Sequence, residues 1–187
     1  MNNNNKSTLI IEGAFRLVER EGTEKLTLEA VAQEAGISKG GLLYHFPSKE
    51  ALVSGMLRYM GEQFEQKIEL AVANDPEPQG RWLRGYIRAS LEPDETPQAV
   101  YMAITAAVAT NRTLLEPLQK ANTEWQKRIE ESSGDRATAT LLRMAADGFW
   151  YTEALGFGAM SPELKQEIME LMLKLSKQNS STENGEN

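Results

Sequence analysis

Ser38, Lys39, Gly40, Gly41, Tyr44 and His45 lie within eight consecutive residues and bring hydrogen-bond donors, one fixed positive charge and almost no aliphatic bulk. Donors without bulk suit a nucleic-acid groove, where lysine, tyrosine and serine reach phosphates and short side chains admit the base edges. Each glycine costs a helix about 1 kcal/mol relative to alanine. Two of them side by side therefore call for a reason, and close approach of another backbone is one. On this reading Lys39 and the surface over Gly40 and Gly41 face base edges. Thr27, Tyr44, His45 and Lys49 hold phosphates, and Ser38 serves either purpose.

Other chemistry lacks its parts. The chain of 187 residues has no cysteine, so there is no disulfide framework, thiolate ligand or cysteine nucleophile. Its one histidine, His45, sits on the expected groove face, so neither a histidine-based metal site nor a Ser/His/Asp set can be assembled. No Gly-rich phosphate loop and no spaced Asp cluster appears. The expectation is a protein that is not an enzyme and has no cofactor or metal.

The elements that must position these residues read at helical period throughout, which makes the fold class all-α. Ile11, Phe15 and Val18 form a stripe on a first helix from Ser7 to Glu21, stopped by Gly22. Thr27 is placed to cap a short helix, Leu28 to Glu34, that Gly36 ends; Ser38 caps another that reaches Tyr44 or His45. Leu28, Val31, Ala32, Ala35 and Ile37 are expected on the buried side of the first, and Leu42, Leu43 and Phe46 on that of the second. Two short helices across a turn also describe an αα-corner; the tyrosine, lysine and capping pattern together favour a helix-turn-helix.

After Pro47 and Ser48 the spacing predicts one long helix, residues 49–73, about 37 Å long. Asn74-Asp75-Pro76-Glu77-Pro78 breaks the chain. Further helices are expected near 79–91, 97–110, 113–132, 136–157 and 162–177, with Thr96-Pro97 and Ser161-Pro162 as cap signatures.

The run Ala35-Gly36-Ile37-Ser38, then Tyr44-His45-Phe46, then Ser48-Lys49-Glu50-Ala51-Leu52 resembles the DNA-binding domain of the TetR family of bacterial regulators. That resemblance covers about residues 7 to 60. It implies a three-helix helix-turn-helix domain, a long connecting helix, and a larger helical domain for ligand binding and dimerisation. It also implies a homodimer on double-stranded operator DNA, with repression relieved by a small-molecule effector. The corresponding division is a disordered arm at 1–6, the DNA-binding domain at 7–50, the ligand and dimer domain at 51–177 and a disordered tail at 178–187. An effector-independent DNA-binding protein of the same fold, in nucleoid or division control, is the alternative.

Charge bears on the partner. The net charge is −7, with six Lys/Arg against seven Glu in residues 1–50 and the remaining excess of acid beyond them. If DNA is bound, a local face does it. No apolar run approaches the length of a membrane span, and the asparagine-rich start lacks the apolar core of a signal peptide, so a cytoplasmic protein is expected.

Aromatic and methionine residues crowd the second half. Trp82, Tyr86, Tyr101, Met102, Trp125, Met144, Phe149 and Tyr151 are either plain core or the walls of an apolar pocket with adaptable sides. Thr105 and Asp147, with Asn111, Arg112 and Asn122 near them, would orient a ligand there, although Asp147 is equally a solvated carboxylate. Arg81, Arg84 and Arg88 share one helical face, expected to be solvated or salt-bridged and not an anion site. Leu142, Ala146, Phe149 and Glu153 form one stripe and Leu164, Ile168, Leu171, Met172 and Leu175 another. The pair is assigned to a four-helix dimer bundle; a monomer would use both as core.

Overall fold

Gly22, at a φ of 83°, follows the last residue of α1 (Asn3–Glu21) and takes a conformation that side chains disfavour. The computed structural model describes residues 3–92, 97–109, 111–158 and 160–178. In it Thr27 Oγ1 accepts from the Ala30 amide, Ser38 Oγ from Gly41 and Ser48 Oγ from Ala51, each at 3.1 Å. These hydroxyls satisfy amides that have no partner within a helix. They thereby set the starts of α2 (Leu28–Glu34), α3 (Lys39–His45) and α4 (Lys49–Ala73). There follow α5 (Arg81–Leu91), α6 (Gln98–Val108), α7 (Arg112–Ser132, with Pro117 inside it), α8 (Arg136–Ala154) and α9 (Pro162–Gln178). Among the described residues there is no strand, and no helix is long and apolar enough to cross a membrane.

Several ends differ from the sequence-based expectation. α1 begins at Asn3, inside the stretch read as an arm. α8 ends at Ala154, not 157, because Gly156 turns left-handed at φ 67°. The Phe157 amide then donates to Thr152 O at 2.9 Å and that of Gly156 to Glu153 O at 3.1 Å, the paired bonds of a glycine-terminated helix. Ser161 caps α9 as expected, accepting from the Leu164 amide at 3.2 Å. Thr96, the side chain of Arg112 and the tail beyond 178 lie outside the described residues.

The helices form two compact units. One takes the chain up to Glu62 and also the segment that ends at Gln119. Its core is the inner face of α1 (Ile10, Ala14, Leu17) with Val31, Leu42 and Leu52. Val100, Tyr101 and Ile104 of α6 are buried as well, and the Tyr101 ring stands edge-on to Phe15 with centroids 5.7 Å apart. Helix α6 therefore packs with the N-terminal helices. Gly55 fits this unit because a Cβ there would come within 2.6 Å of the Phe46 ring.

The other unit runs from Gln63 and resumes at Lys120. Ile68 of α4, Leu83 and Ile87 of α5, Ile129 of α7, and Leu142 and Ala146 of α8 share its core with Met172 of α9. Each large aliphatic chain buried in this way stabilises the fold by about 1.5–3 kcal/mol. Of the two forms expected for that face of α5, Arg84 takes the salt-bridged one and is only 1% exposed. Its guanidinium donates to both carboxylate oxygens of Asp75, at 2.7 and 2.9 Å, and to the carbonyls of Gln79 and Glu77 at 2.9 and 2.6 Å. The proline-rich break between α4 and α5 is thus closed over a buried cation that makes four hydrogen bonds. Those bonds hold the Asp75 carboxyl below the usual carboxylate range.

Candidate nucleic-acid interface

The turn between α2 and α3 follows from one residue. Gly36 sits at φ 66°, its amide donates to Gln33 O at 3.1 Å and that of Ile37 to Ala32 O at 3.0 Å. This ends α2 and redirects the chain into Ser38, whose cap starts α3 two residues on. Val31, Ala32 and Ala35 of this motif are buried, as are Leu42 and Phe46, while Leu28 and Ile37 are half-buried. Leu43 departs from its expected burial: it is 38% exposed. Leu42 and Phe46, four residues apart, lie on one line of the helix, and Leu43 is turned about 100° from it. That spacing was the signal that could have found it.

The outward face of α3 carries Ser38, Lys39, Gly40, Gly41, Leu43 and Tyr44, all exposed, with Tyr44 at 75%. The His45 ring is half-buried and meets the Tyr44 ring edge-on, centroids 5.2 Å apart. Thr27 and Lys49 are exposed at the starts of α2 and α4. The structure therefore brings the eight residues singled out for DNA contact onto α3 and the two flanking helix starts. The hydroxyls of Thr27 and Ser38 accept from the backbone as caps, which leaves each proton free to donate outward.

Neither glycine of α3 has a positive φ, and a Cβ at Gly40 would meet nothing within 4 Å. Among the described residues nothing requires Gly40 to lack a side chain. A helix of this length spans about 10 Å, which fits a major groove about 12 Å wide and 8.5 Å deep. Sequence reading missed the partner of Lys39, whose ammonium stands 3.4 Å from Glu29 of α2. Arg16 and Arg20 of α1 meet Glu34 at 3.4 and 2.8 Å and so join α1 to α2 behind this face.

The ten residues expected to line a ligand pocket fall in both units. Tyr101, Met102 and Thr105 belong to the first unit, where the Thr105 hydroxyl donates to Tyr101 O at 2.8 Å. In the second unit Tyr86 and Trp125 are buried with Phe64, their rings edge-on at 5.2 and 5.0 Å from it. Trp82 lies under the Arg128 guanidinium, 4.7 Å from its ring centre. Asp147 is 32% exposed and has partners within the chain: Tyr86 donates its hydroxyl proton to it at 2.5 Å, and Arg143 is 3.7 Å away. Burial and that carboxylate push the Tyr86 phenol well above its ordinary range. Arg143 also donates to Gln126 at 2.9 Å and Asn122 at 2.6 Å, so α5, α7 and α8 share one polar cluster. Phe149 is buried, whereas Met144 and Tyr151 stand exposed on α8.

The stripes assigned to a dimer divide in the same way. Leu142, Ala146, Phe149 and Met172 are buried within the chain, so they are core, not contact. Glu153 is ion-paired with Lys165 of α9 in the same chain. Leu164, Leu171 and Leu175 are exposed on α9 with Ile168 half-buried between them, and Leu141, Met144 and Tyr151 are exposed on α8. Gly148, in line with these last three, has open space where a Cβ would be.

Comparison with known proteins agrees with this geometry. Residues 10–56 match the family model described as bacterial regulatory proteins, tetR family, and residues 80–177 the one described as tetracyclin repressor-like, C-terminal domain. The HTH-type transcriptional regulator YuxN of Bacillus subtilis (strain 168) is 44% identical over 54 residues, 29% of this chain and 19% of that one. The chain thus spans about a fifth of that relative's length. A transcriptional regulator of Pseudomonas aeruginosa PAO1 superposes with a TM-score of 0.76 at 18% identity, covering 93% of this chain and 91% of its own. The multidrug binding protein EbrR complexed with ethidium superposes with a TM-score of 0.63 at 25% identity, covering 91% and 98%.

Proposed function

This chain belongs to the TetR family of bacterial regulatory proteins, and from that premise we propose that it represses genes from a palindromic operator as a homodimer and is released by a small, largely apolar effector. It is a transcriptional regulator and not an enzyme. The observation that carries the DNA reading is Gly40: an exposed helix position with room for a side chain, next to Lys39 and one turn from Tyr44, that has none. Two copies of α3 would enter successive major grooves, about 34 Å apart.

The second copy is the occupant that fits the apolar face of α8 and α9. Leu141, Met144, Tyr151, Leu164, Leu171 and Leu175 are exposed there at helical spacing, and Gly148 admits a close neighbour. The same face on two chains is self-complementary about a two-fold axis, and four helices meeting in this way form a bundle. A palindromic operator requires that symmetry.

The effector reading rests on the aromatic set of the second unit and its polar cluster of Tyr86, Arg143 and Asp147. EbrR, similar in fold, is described as a multidrug binding protein and holds ethidium. An effector acts only through its preference for one dimer geometry over another. Helix α4, 25 residues in one piece, would transmit that preference to α3 as a lever. One observation favours an effector-independent regulator instead: Phe64, Tyr86 and Trp125 pack on one another, as in a filled core. Thermal unfolding with a panel of apolar cations and neutral aromatics separates the two. A compound that raises the midpoint and weakens operator binding supports release by effector; no shift across the panel supports the filled core. The site of action is the cytoplasm, where the operator is.

A further inference from the structure

Leu43 is an aliphatic side chain, 38% exposed, on a surface otherwise made of donors and glycine, and the DNA contacts assigned above do not use it. It is turned away from the line of Leu42 and Phe46, and shares the outward face with Lys39, Gly40 and Tyr44. On a helix, residue 40 is the neighbour of 43, three positions on, and any side chain there would lie against it. Gly40 has none, although a Cβ would meet nothing within 4 Å, so Leu43 is left bare on that side. Glycine and leucine together make a flat apolar patch, with the Lys39 ammonium and the Tyr44 hydroxyl on the same outward face.

The major groove offers one apolar group to such a patch, the 5-methyl of thymine; its other features are donors and acceptors that leucine cannot pair. We propose that Leu43 determines specificity by packing on a thymine methyl, so that each half-site of the operator carries a thymine that the protein recognises without a hydrogen bond. This inference rests on the reading of α3 as the groove-binding helix and goes beyond it by assigning a base and a chemical group. Cytosine at that position would lack the methyl and would set an amino group against the leucine, leaving a donor without an acceptor.

The test removes the methyl from the DNA and leaves the protein intact. A duplex is selected from a randomised library by the full chain, and each thymine in it is replaced in turn by deoxyuridine. At one thymine per half-site the loss of a buried methyl should weaken binding about fourfold. The Leu43→Ala chain should bind thymine and deoxyuridine duplexes alike, within about 1.5-fold, because its partner for the methyl is gone. The proposal is overturned if no thymine responds in the unaltered chain, or if the response persists in Leu43→Ala. If the library yields no sequence bound more tightly than random duplex, the groove reading of α3 fails and this inference with it, an outcome distinct from the other two.

Discussion

The ammonium of Lys39 stands 3.4 Å from the carboxylate of Glu29, so the one fixed charge on the outward face of α3 is shared with an acid on α2. Both side chains are largely exposed, and a pair of this kind contributes no more than about 1 kcal/mol to stability. Its consequence lies in binding. Glu29 competes with DNA for Lys39 and also repels phosphate.

Glu29→Gln should therefore tighten operator binding several-fold at low salt, with stability unchanged within about 0.5 kcal/mol. Lys39→Ala should weaken it. Fluorescence anisotropy at two salt concentrations checks both. Equal affinities for Glu29→Gln and the unaltered chain would show that Lys39 makes no use of its freedom.

Gly40→Ala should separate folding from function. A Cβ at this position meets nothing within 4 Å and φ is not positive, so the fold gains up to about 1 kcal/mol of helix propensity. Operator affinity should fall at the same time, because the methyl stands where the groove must approach. Urea unfolding and a binding titration on the same sample read the two effects; a tighter binder would contradict this use of Gly40.

Arg84→Met should cost about 3–5 kcal/mol, since it strands Asp75 against a side chain that can neither pair with it nor donate. The pair also gives a pH dependence of definite sign. Hydrogen bonds from Arg84, above all, hold the Asp75 carboxyl low. A carboxyl depressed in the folded state contributes stability that is complete above its unfolded value, about 3.9. That contribution is lost as pH falls through the folded value. Denaturant midpoints measured below pH 4 should fall steeply in the unaltered chain, and this part of the slope should vanish in Asp75→Asn.

Helices α8 and α9 carry two opposite predictions. Leu171→Glu or Met144→Glu, both exposed, should yield folded monomers by sedimentation. Leu142→Ala, buried in the chain's own core, should instead lower stability by about 2–5 kcal/mol. A monomer from Leu142→Ala and an unaltered dimer from Leu171→Glu would reverse the assignment.

What could be read from the sequence was local. Thr27, Ser38 and Gly36 act within four residues of themselves, so their types and spacing were enough to place α2, the turn and α3. Faces were harder to read, because which side of a helix is buried depends on neighbours far along the chain. Leu142 and Leu141 are adjacent leucines, yet α5 packs against the side of α8 that holds the first, and the second is exposed. The partner of Arg84 could not be read off because Asp75 lies nine residues back in a loop with no periodic pattern. Sequence alone does not decide between core and pocket wall for Tyr101, because nothing near it in sequence points to Phe15.

Binding of the full chain to its selected duplex, titrated across salt concentrations against random duplex and with Lys39→Ala alongside, tests the central claim most directly. The account predicts two chains per duplex, a selected site held about 1,000-fold or more tighter than random sequence at the same salt, and a clear loss in Lys39→Ala. Equal affinity for selected and random duplex, falling in parallel as salt rises and indifferent to Lys39, would show a phosphate-coating surface with no groove reading and would contradict it.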